Sequence, residues 1–297
     1  MQAATMKSLS IRTATLALSL CVMLISAPLW AQKSPYPLIL SYDKNAFRTF
    51  EKNYEAFKKK YQFNYLRETI DTVSCTVGLL AYAVQPIKLP LLRHLSGTAS
   101  ADTTAAILIA LRTFIDENAA LLNATSRDIA LVSLREAEGA IVVRFERATY
   151  GKMRAGGETR GQLEFVINRQ GEIAVLVCTA TRVLTGLPRK AKVPVEKIYK
   201  MLMGKKLTFT IDDKFVRYEI DRIDVIKPAL LCVYEDKEIT TRTLKDGLAE
   251  MQLKRAKVHL AYEVEIDIKY KKPIARIYID AITGEELATE YPFLAME

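Results

Sequence analysis

Val258-His259-Leu260-Ala261-Tyr262-Glu263-Val264-Glu265-Ile266-Asp267-Ile268 is the stretch on which the reading of the chain turns. Val258, Leu260, Tyr262, Val264, Ile266 and Ile268 alternate with His259, Ala261, Glu263, Glu265 and Asp267. A period of two fits a strand with one buried and one wet face, and fits no helix. Burying each of its apolar side chains contributes about 1.5–3 kcal/mol before entropy is subtracted. Tyr270–Pro273 then turns the chain and Ile274–Ile279 returns, so the pattern predicts an antiparallel hairpin. Working outward, Ala229–Tyr234, Leu207–Ile211 and Phe215–Asp224 read as further strands, and Val195–Met203 as a helix. Thr185–Pro194, with Gly186, Pro188, Pro194 and three basic residues, reads as a linker.

Upstream of that linker the pattern repeats. Ile129–Leu134, Ile141–Phe145, Leu163–Ile167 and Glu172–Cys178 are predicted strands, and Thr149–Gly161, with four glycines, is a predicted loop. Thr103–Leu122 carries apolar residues at helical period, and Cys75–Leu92, broken by Pro86 and Pro90, reads as an extended ribbon. Earlier still, Phe47, Phe50, Tyr54, Phe57 and Tyr61 recur at spacings of three and four, which places five rings on one helical face. Such a stripe is either a docking face onto the chain's own core or a partner-binding surface. The expected fold class is α+β: two successive helix-on-antiparallel-sheet units preceded by an N-terminal amphipathic helix.

Composition narrows the function classes. The chain has 297 residues, 50% hydrophobic and 26% charged, with 12 Gly and 10 Pro, which excludes collagenous, low-complexity and wholly disordered chains. Met1–Arg12 is basic without acids, Thr13–Ser26 is apolar, and Leu29-Trp30-Ala31 ends on a small residue. That layout predicts a signal peptide over residues 1–31 and an exported protein, periplasmic or extracellular, with no transmembrane segment in the mature chain. The net charge of +9 is spread through Lys58–Lys60, Arg189–Lys192, Lys205 and Lys206, and Lys269–Lys272, without a nucleic-acid motif, so no nucleic-acid partner is expected. Of four cysteines, Cys21 falls in the predicted signal peptide; Cys75, Cys178 and Cys232 lie in apolar runs, as buried unpaired thiols do, and the three left in the mature chain permit at most one internal disulfide.

Motifs for chemistry are incomplete. His94 and His259 are the histidines, and no His-Glu-x-x-His sequence joins them to a helical zinc site. No Gly-x-Ser-x-Gly is present. Gly204-Lys205-Lys206 lacks both the earlier glycine and the Ser or Thr of a phosphate loop. Asp212-Asp213 and Glu285-Glu286 fall in predicted turns, where acids are solvated. The expectation is a protein with no catalytic residues, no cofactor and no metal.

Two stretches carry a family signal. Ile107–Pro188 resembles the FTP domain, the fungalysin/thermolysin propeptide module: Ala110–Leu122 looks like its opening helix, Val143-Arg144-Phe145 with Tyr150-Gly151 and Gly156-Gly157 like its strand and double-glycine loop, and Asn168–Ile173 like its polar turn. Leu260–Ile266, followed by Arg276–Leu287, is similar to the end of a PepSY domain, with Asp280 closing the strand, Thr283-Gly284 in the turn and Leu287 re-entering the core.

The resemblance implies FTP-like then PepSY-like units in cystatin-like layers. It divides the chain into a signal peptide (1–31), an N-terminal helix and ribbon (32–100), an FTP-like domain (101–188), a linker (189–194), a PepSY-like domain (195–291) and a tail (292–297). In the resembled precursors this pair helps a zinc protease domain to fold and blocks it until cleaved. Here it implies a non-catalytic, propeptide-like protein that binds a secreted thermolysin-like zinc metalloprotease and inhibits it or assists its folding. The candidate partner-binding residues are Phe47, Phe50, Tyr54, Phe57, Tyr61, Tyr150, Phe293 and Leu294. Two other readings stand beside this one: a cell-envelope or secreted adaptor, and the remnant of a protease precursor.

Overall fold

The first helix begins where a side chain caps it. Asp43 Oδ1 accepts the N–H groups of Asn45 and Ala46 at 2.9 and 3.1 Å, satisfying donors that a helix start otherwise leaves open. The helix ends at Gln62 in the left-handed conformation, with Lys58, Lys59 and Lys60 set against the negative end of its dipole. This computed structural model describes residues 36–89, 101–148, 150, 153–157, 161–181, 184–211, 214–243, 249–268 and 273–291.

In chain order the elements are β1 (Leu38–Ser41), α1 (Lys44–Tyr61), β2 (Asn64–Asp71), β3 (Thr76–Gln85), β4 (Ile87–Lys88), α2 (Ala101–Glu117) and α3 (Ala119–Leu122). There follow β5 (Ile129–Ala137), β6 (Ala140–Arg147), β7 (Arg154–Gly156), β8 (Gln162–Ile167), β9 (Glu172–Cys178) and α4 (Val195–Leu202). The remainder is β10 (Lys206–Ile211), β11 (Lys214–Glu219), β12 (Leu230–Thr243), β13 (Ala249–Ile266), β14 (Ala275–Asp280) and β15 (Glu286–Glu290).

The first sheet runs β2-β3-β9-β8-β6-β5, with β4 also beside β9. All its pairs are antiparallel. One core lies between this sheet and α1 and α2: Phe50, Tyr54 and Phe57 from α1, Ile107, Leu111, Phe114 and Ile115 from α2, and Phe145, Leu163, Phe165 and Ile167 from the strands. Phe114 meets Phe57 at 6.1 Å and Phe165 at 6.0 Å between ring centroids. The segment 32–100, set apart in the sequence reading, thus contributes α1 and β2–β4 to the same sheet and core as residues 101–178. Thr103–Leu122, predicted as one helix, is divided at Asn118, whose side-chain amide donates to Phe114 O at 2.6 Å and to the Tyr61 hydroxyl at 3.0 Å. A short amide side chain that bonds the backbone in this way competes with the helix and ends it.

The second sheet runs β15-β14-β13-β12-β7. Along one side of the long β13 lie β1, opposite Arg255–Val258, and β14, opposite Ala261–Ile266. The other side pairs with β12. Helix α4 and the β10–β11 hairpin cover one face, burying Ile198, Leu202, Leu207 and Phe209 against Val264, Ile266, Ile277 and Ile279. The predicted glycine loop Thr149–Gly161 contains β7, which pairs parallel to β12 through Cys232, Val233 and Tyr234. A strand of three residues is too short to show a period of two. The architecture is mixed α+β with antiparallel sheets.

The linker 189–194 has no helix or strand, but the Lys192 and Val193 N–H groups both donate to Ala281 O, at 2.8 and 3.0 Å. The two sheets meet over Leu40, Val73, Tyr150, Val233, Ala256 and Val258.

Candidate functional site

Four donors converge on one carboxylate where β14 ends. Asp280 Oδ1 accepts the N–H groups of Ile282 and Thr283 at 2.7 and 2.9 Å. Its Oδ2 accepts the Tyr36 hydroxyl at 2.8 Å and His259 Nδ1–H at 2.7 Å. A carboxylate has about four lone-pair positions, and all are used here. The local sequence produces the arrangement. Gly284, at φ +81°, turns the chain so that its N–H reaches Asp280 O at 2.8 Å, and the Asp280 N–H donates to Glu285 O at 2.8 Å. Burial acts to raise the Asp280 carboxyl, but the bonds from His259, Thr283, Ile282 and Tyr36 outweigh it and hold the group below the usual carboxylate range.

Tyr36 reaches this point because β1 lies along β13. Its hydroxyl accepts the Leu260 N–H at 3.1 Å while donating to Asp280, so it fills the rung of the ladder between β1 and β14. Burial, and then the bond to Asp280, push the phenol well above its ordinary range, which makes it a fixed donor. His259 is 8% exposed, with Tyr36 edge-on at 6.0 Å. Held in this way, the three side chains can lock strands together.

The expected wet face of β13 is therefore not wet: His259, Ala261 and Glu263 are 8%, 0% and 2% exposed. The charges are matched within the sheet. Arg154 donates to Glu263 Oε1 at 2.5 Å and Arg276 to Glu265 Oε1 at 2.8 Å. Tyr278 stacks on Tyr234 at 4.7 Å and donates to Glu290 at 3.1 Å. Gly156 permits β7 to approach this layer, since a Cβ there would lie 2.6 Å from Cys232 Sγ and 3.2 Å from the Tyr278 ring.

The other sequence-selected residues lie elsewhere. Phe50, Tyr54 and Phe57 are 3–4% exposed, and Phe47 and Tyr61 pack beside them on the first core. The aromatic stripe faces inward, which corrects its reading as a partner surface: burying these rings against α2 and the sheet outweighs leaving them in water. Beside Phe57 a cleft of about 250 Å³ opens between α1 and α3, lined also by Asn53, Lys60, Glu117 and Asn118. Tyr150 is buried at the junction of the sheets. Leu287 packs against Cys232, Ala261 and Tyr278. Thr283 Oγ1 accepts the Glu285 N–H at 3.3 Å. Phe293, Leu294, His94, Asp212, Asp213 and the leader lie outside the described residues.

Cys178 is fully buried, and that burial pushes its thiol up, away from reactivity. Among the described residues no group of three or more His, Cys, Asp or Glu side chains is placed to hold a metal, and no helix is long and apolar enough to cross a membrane.

Sequence reasoning missed the contacts of Tyr36 and His259 with Asp280. The hairpin register could have found the second: with Ala261 opposite Asp280, His259 shares the Asp280 face one diagonal away. No signal marks Tyr36, which stands far from Asp280 in sequence.

No family model matches the chain, and no curated protein matches it. Among solved structures, it is similar to the Bacillus megaterium YpeB C-terminal domain at 11% sequence identity and a TM-score of 0.31, over 84% of this chain and 98% of that one.

Proposed function

We propose that the chain is a non-catalytic exported protein of the propeptide type, an FTP-like layer followed by a PepSY-like layer. Its partner is a secreted thermolysin-like metalloprotease, which it inhibits or helps to fold. The observation that supports this reading most is the closed turn at Asp280, Thr283 and Gly284, the residues on which the PepSY resemblance rests, with helix α4 laid on the antiparallel sheet behind it. The side chains at that turn are committed to bracing strands, which suits a binding scaffold. Nanomolar inhibition needs about −12 kcal/mol, and hence a broad interface. The test is titration of the purified protein into thermolysin-like proteases and into their refolding reactions. Lower protease rates or higher refolding yields at micromolar protein are expected. Unchanged rates and unchanged yields would reject both roles.

The adaptor reading draws on a different surface. The pairs Tyr65↔Ala83 and Arg67↔Ala81 bracket Leu66 opposite Tyr82. Leu66, Tyr82 and Val84 are 77%, 67% and 62% exposed on the β2–β3 margin of the first sheet. This reading expects stable capture of a non-protease partner that is lost when Leu66 and Tyr82 are replaced by Ser with the fold intact.

A further inference from the structure

A second carboxylate sits between the sheets with one of its oxygens lacking a hydrogen bond. Glu235, on β12, has a side chain only 8% exposed. Its Oε1 accepts the Thr181 hydroxyl, while its buried Oε2 has no hydrogen-bond partner. Thr181 is in turn tied to the first sheet. Arg147, on β6, donates to Thr181 O at 2.7 Å and to Asn123 O at 2.6 Å, and its guanidinium lies 4.5 Å from the Tyr150 ring centroid. Lys237 Nζ stands 3.9 Å from both Glu235 Oε2 and Asp71 Oδ2, too far for a hydrogen bond to either.

Asp71, at the end of β2, uses its other oxygen to cap the turn 72–75, accepting the N–H groups of Val73 and Ser74 at 3.0 and 2.8 Å. That turn drives Val73, 0% exposed, into the junction core beside Val233 and Val258. The charged and titratable groups facing Glu235 are thus Lys237 from its own strand, Asp71 from β2, Arg147 from β6 and Tyr150 beyond β6.

We propose that Glu235 is a proton-operated clasp between the two sheets: with its carboxyl protonated the turn 72–75 and the Thr181 segment stay docked on β12, and with the carboxyl ionised they loosen. The neutral acid needs less from its surroundings than a charge with an unbonded oxygen in an apolar junction. Opening releases one proton to solvent, and closing takes it back. Burial, the largest cause, pushes the Glu235 carboxyl from 4.5 up to about 7. Lys237 opposes that rise, Asp71 adds to it, and Arg147 opposes it.

The sign is the reverse of the common acidic case. A carboxyl raised on folding binds its proton more tightly in the folded state, so stability is complete below the unfolded value and falls as pH rises toward the folded one. Across that window the closed-to-open ratio drops roughly a hundredfold or more. The proposal is independent of any protease partner.

The experiment follows amide exchange at Val73, Ser74 and Thr181, corrected for intrinsic rates, from pH 5 to 8.5. In the wild-type protein, protection at these amides falls with rising pH, while that of Phe145 and Phe165 in the first sheet holds. Glu235→Gln keeps the junction protected at pH 8.5. Asp71→Asn moves the loosening to lower pH, and Lys237→Met moves it to higher pH. An unchanged pH slope in Glu235→Gln overturns the clasp. Should that variant not fold, shifts of the Asp71 and Lys237 variants in the same direction, or no shifts, overturn it equally.

Discussion

The two sheets are held together by different physics. The first is stabilised by surface removed from water: Phe145, Phe165, Leu163 and Ile167 are 0% exposed beneath α1 and α2, and no single contact decides the outcome. The second has an apolar layer too, under α4, but its central strand β13 carries His259 and Glu263, and the neighbouring β14 carries Asp280, inside the fold. There, stability rests on donors and acceptors that must match one for one. An apolar core fails gradually as atoms are removed, whereas a polar knot fails when one member loses its counterpart.

Five substitutions break or sharpen this contrast, each measured by denaturant unfolding at neutral pH. Phe165→Ala has the largest expected effect, about 3–5 kcal/mol, because it opens a cavity among Phe114, Phe145 and their neighbours. Phe165→Leu should recover most of that loss, as volume-conserving changes do in apolar cores. Asp280→Asn follows at about 2–4 kcal/mol, despite removing no volume, since an amide cannot accept four bonds and leaves buried donors unpaired. A loss under 0.5 kcal/mol would mean that the second sheet is held by burial alone.

Tyr36→Phe removes one hydroxyl and leaves the Leu260 N–H without its acceptor, for about 1–2 kcal/mol. Gly284→Ala is smallest, about 1 kcal/mol. The site is roomy, with Val193 Cγ2 at 3.6 Å from the added methyl, so only the φ of +81° resists. The acid arm of the stability profile tests the same carboxylate. A carboxyl held low in the folded state contributes stability above the ordinary carboxylate range, and that stability disappears as pH falls through the folded value. Asp280→Asn should therefore flatten the loss below about pH 4.

Legibility in the sequence follows the range of the interaction. The β13–β14 hairpin and the helix α1 announce themselves because a period of two or of 3.6 is written within a dozen or so residues. The Asp280 turn is legible for the same reason, since its donors at Ile282 and Thr283 are two and three residues away. The pairing of β1 with β13, the placing of β7 beside β12, and the meeting of Arg147, Thr181 and Glu235 are set by tertiary packing, which leaves no local period. The alternation of β13 even misled: polar residues at every second position imply water, yet their neighbours across the sheet supply the partners that water would have provided.

The Tyr36–Asp280 bond spans 244 positions of sequence, which imposes an order of events on assembly. A ribosome delivers Tyr36 long before Asp280. The first sheet, complete by Cys178, can be finished while the arm carrying β1 still waits for the edge it will occupy. That ladder rung therefore closes only once the chain has been made as far as Asp280, well after every strand of the first sheet.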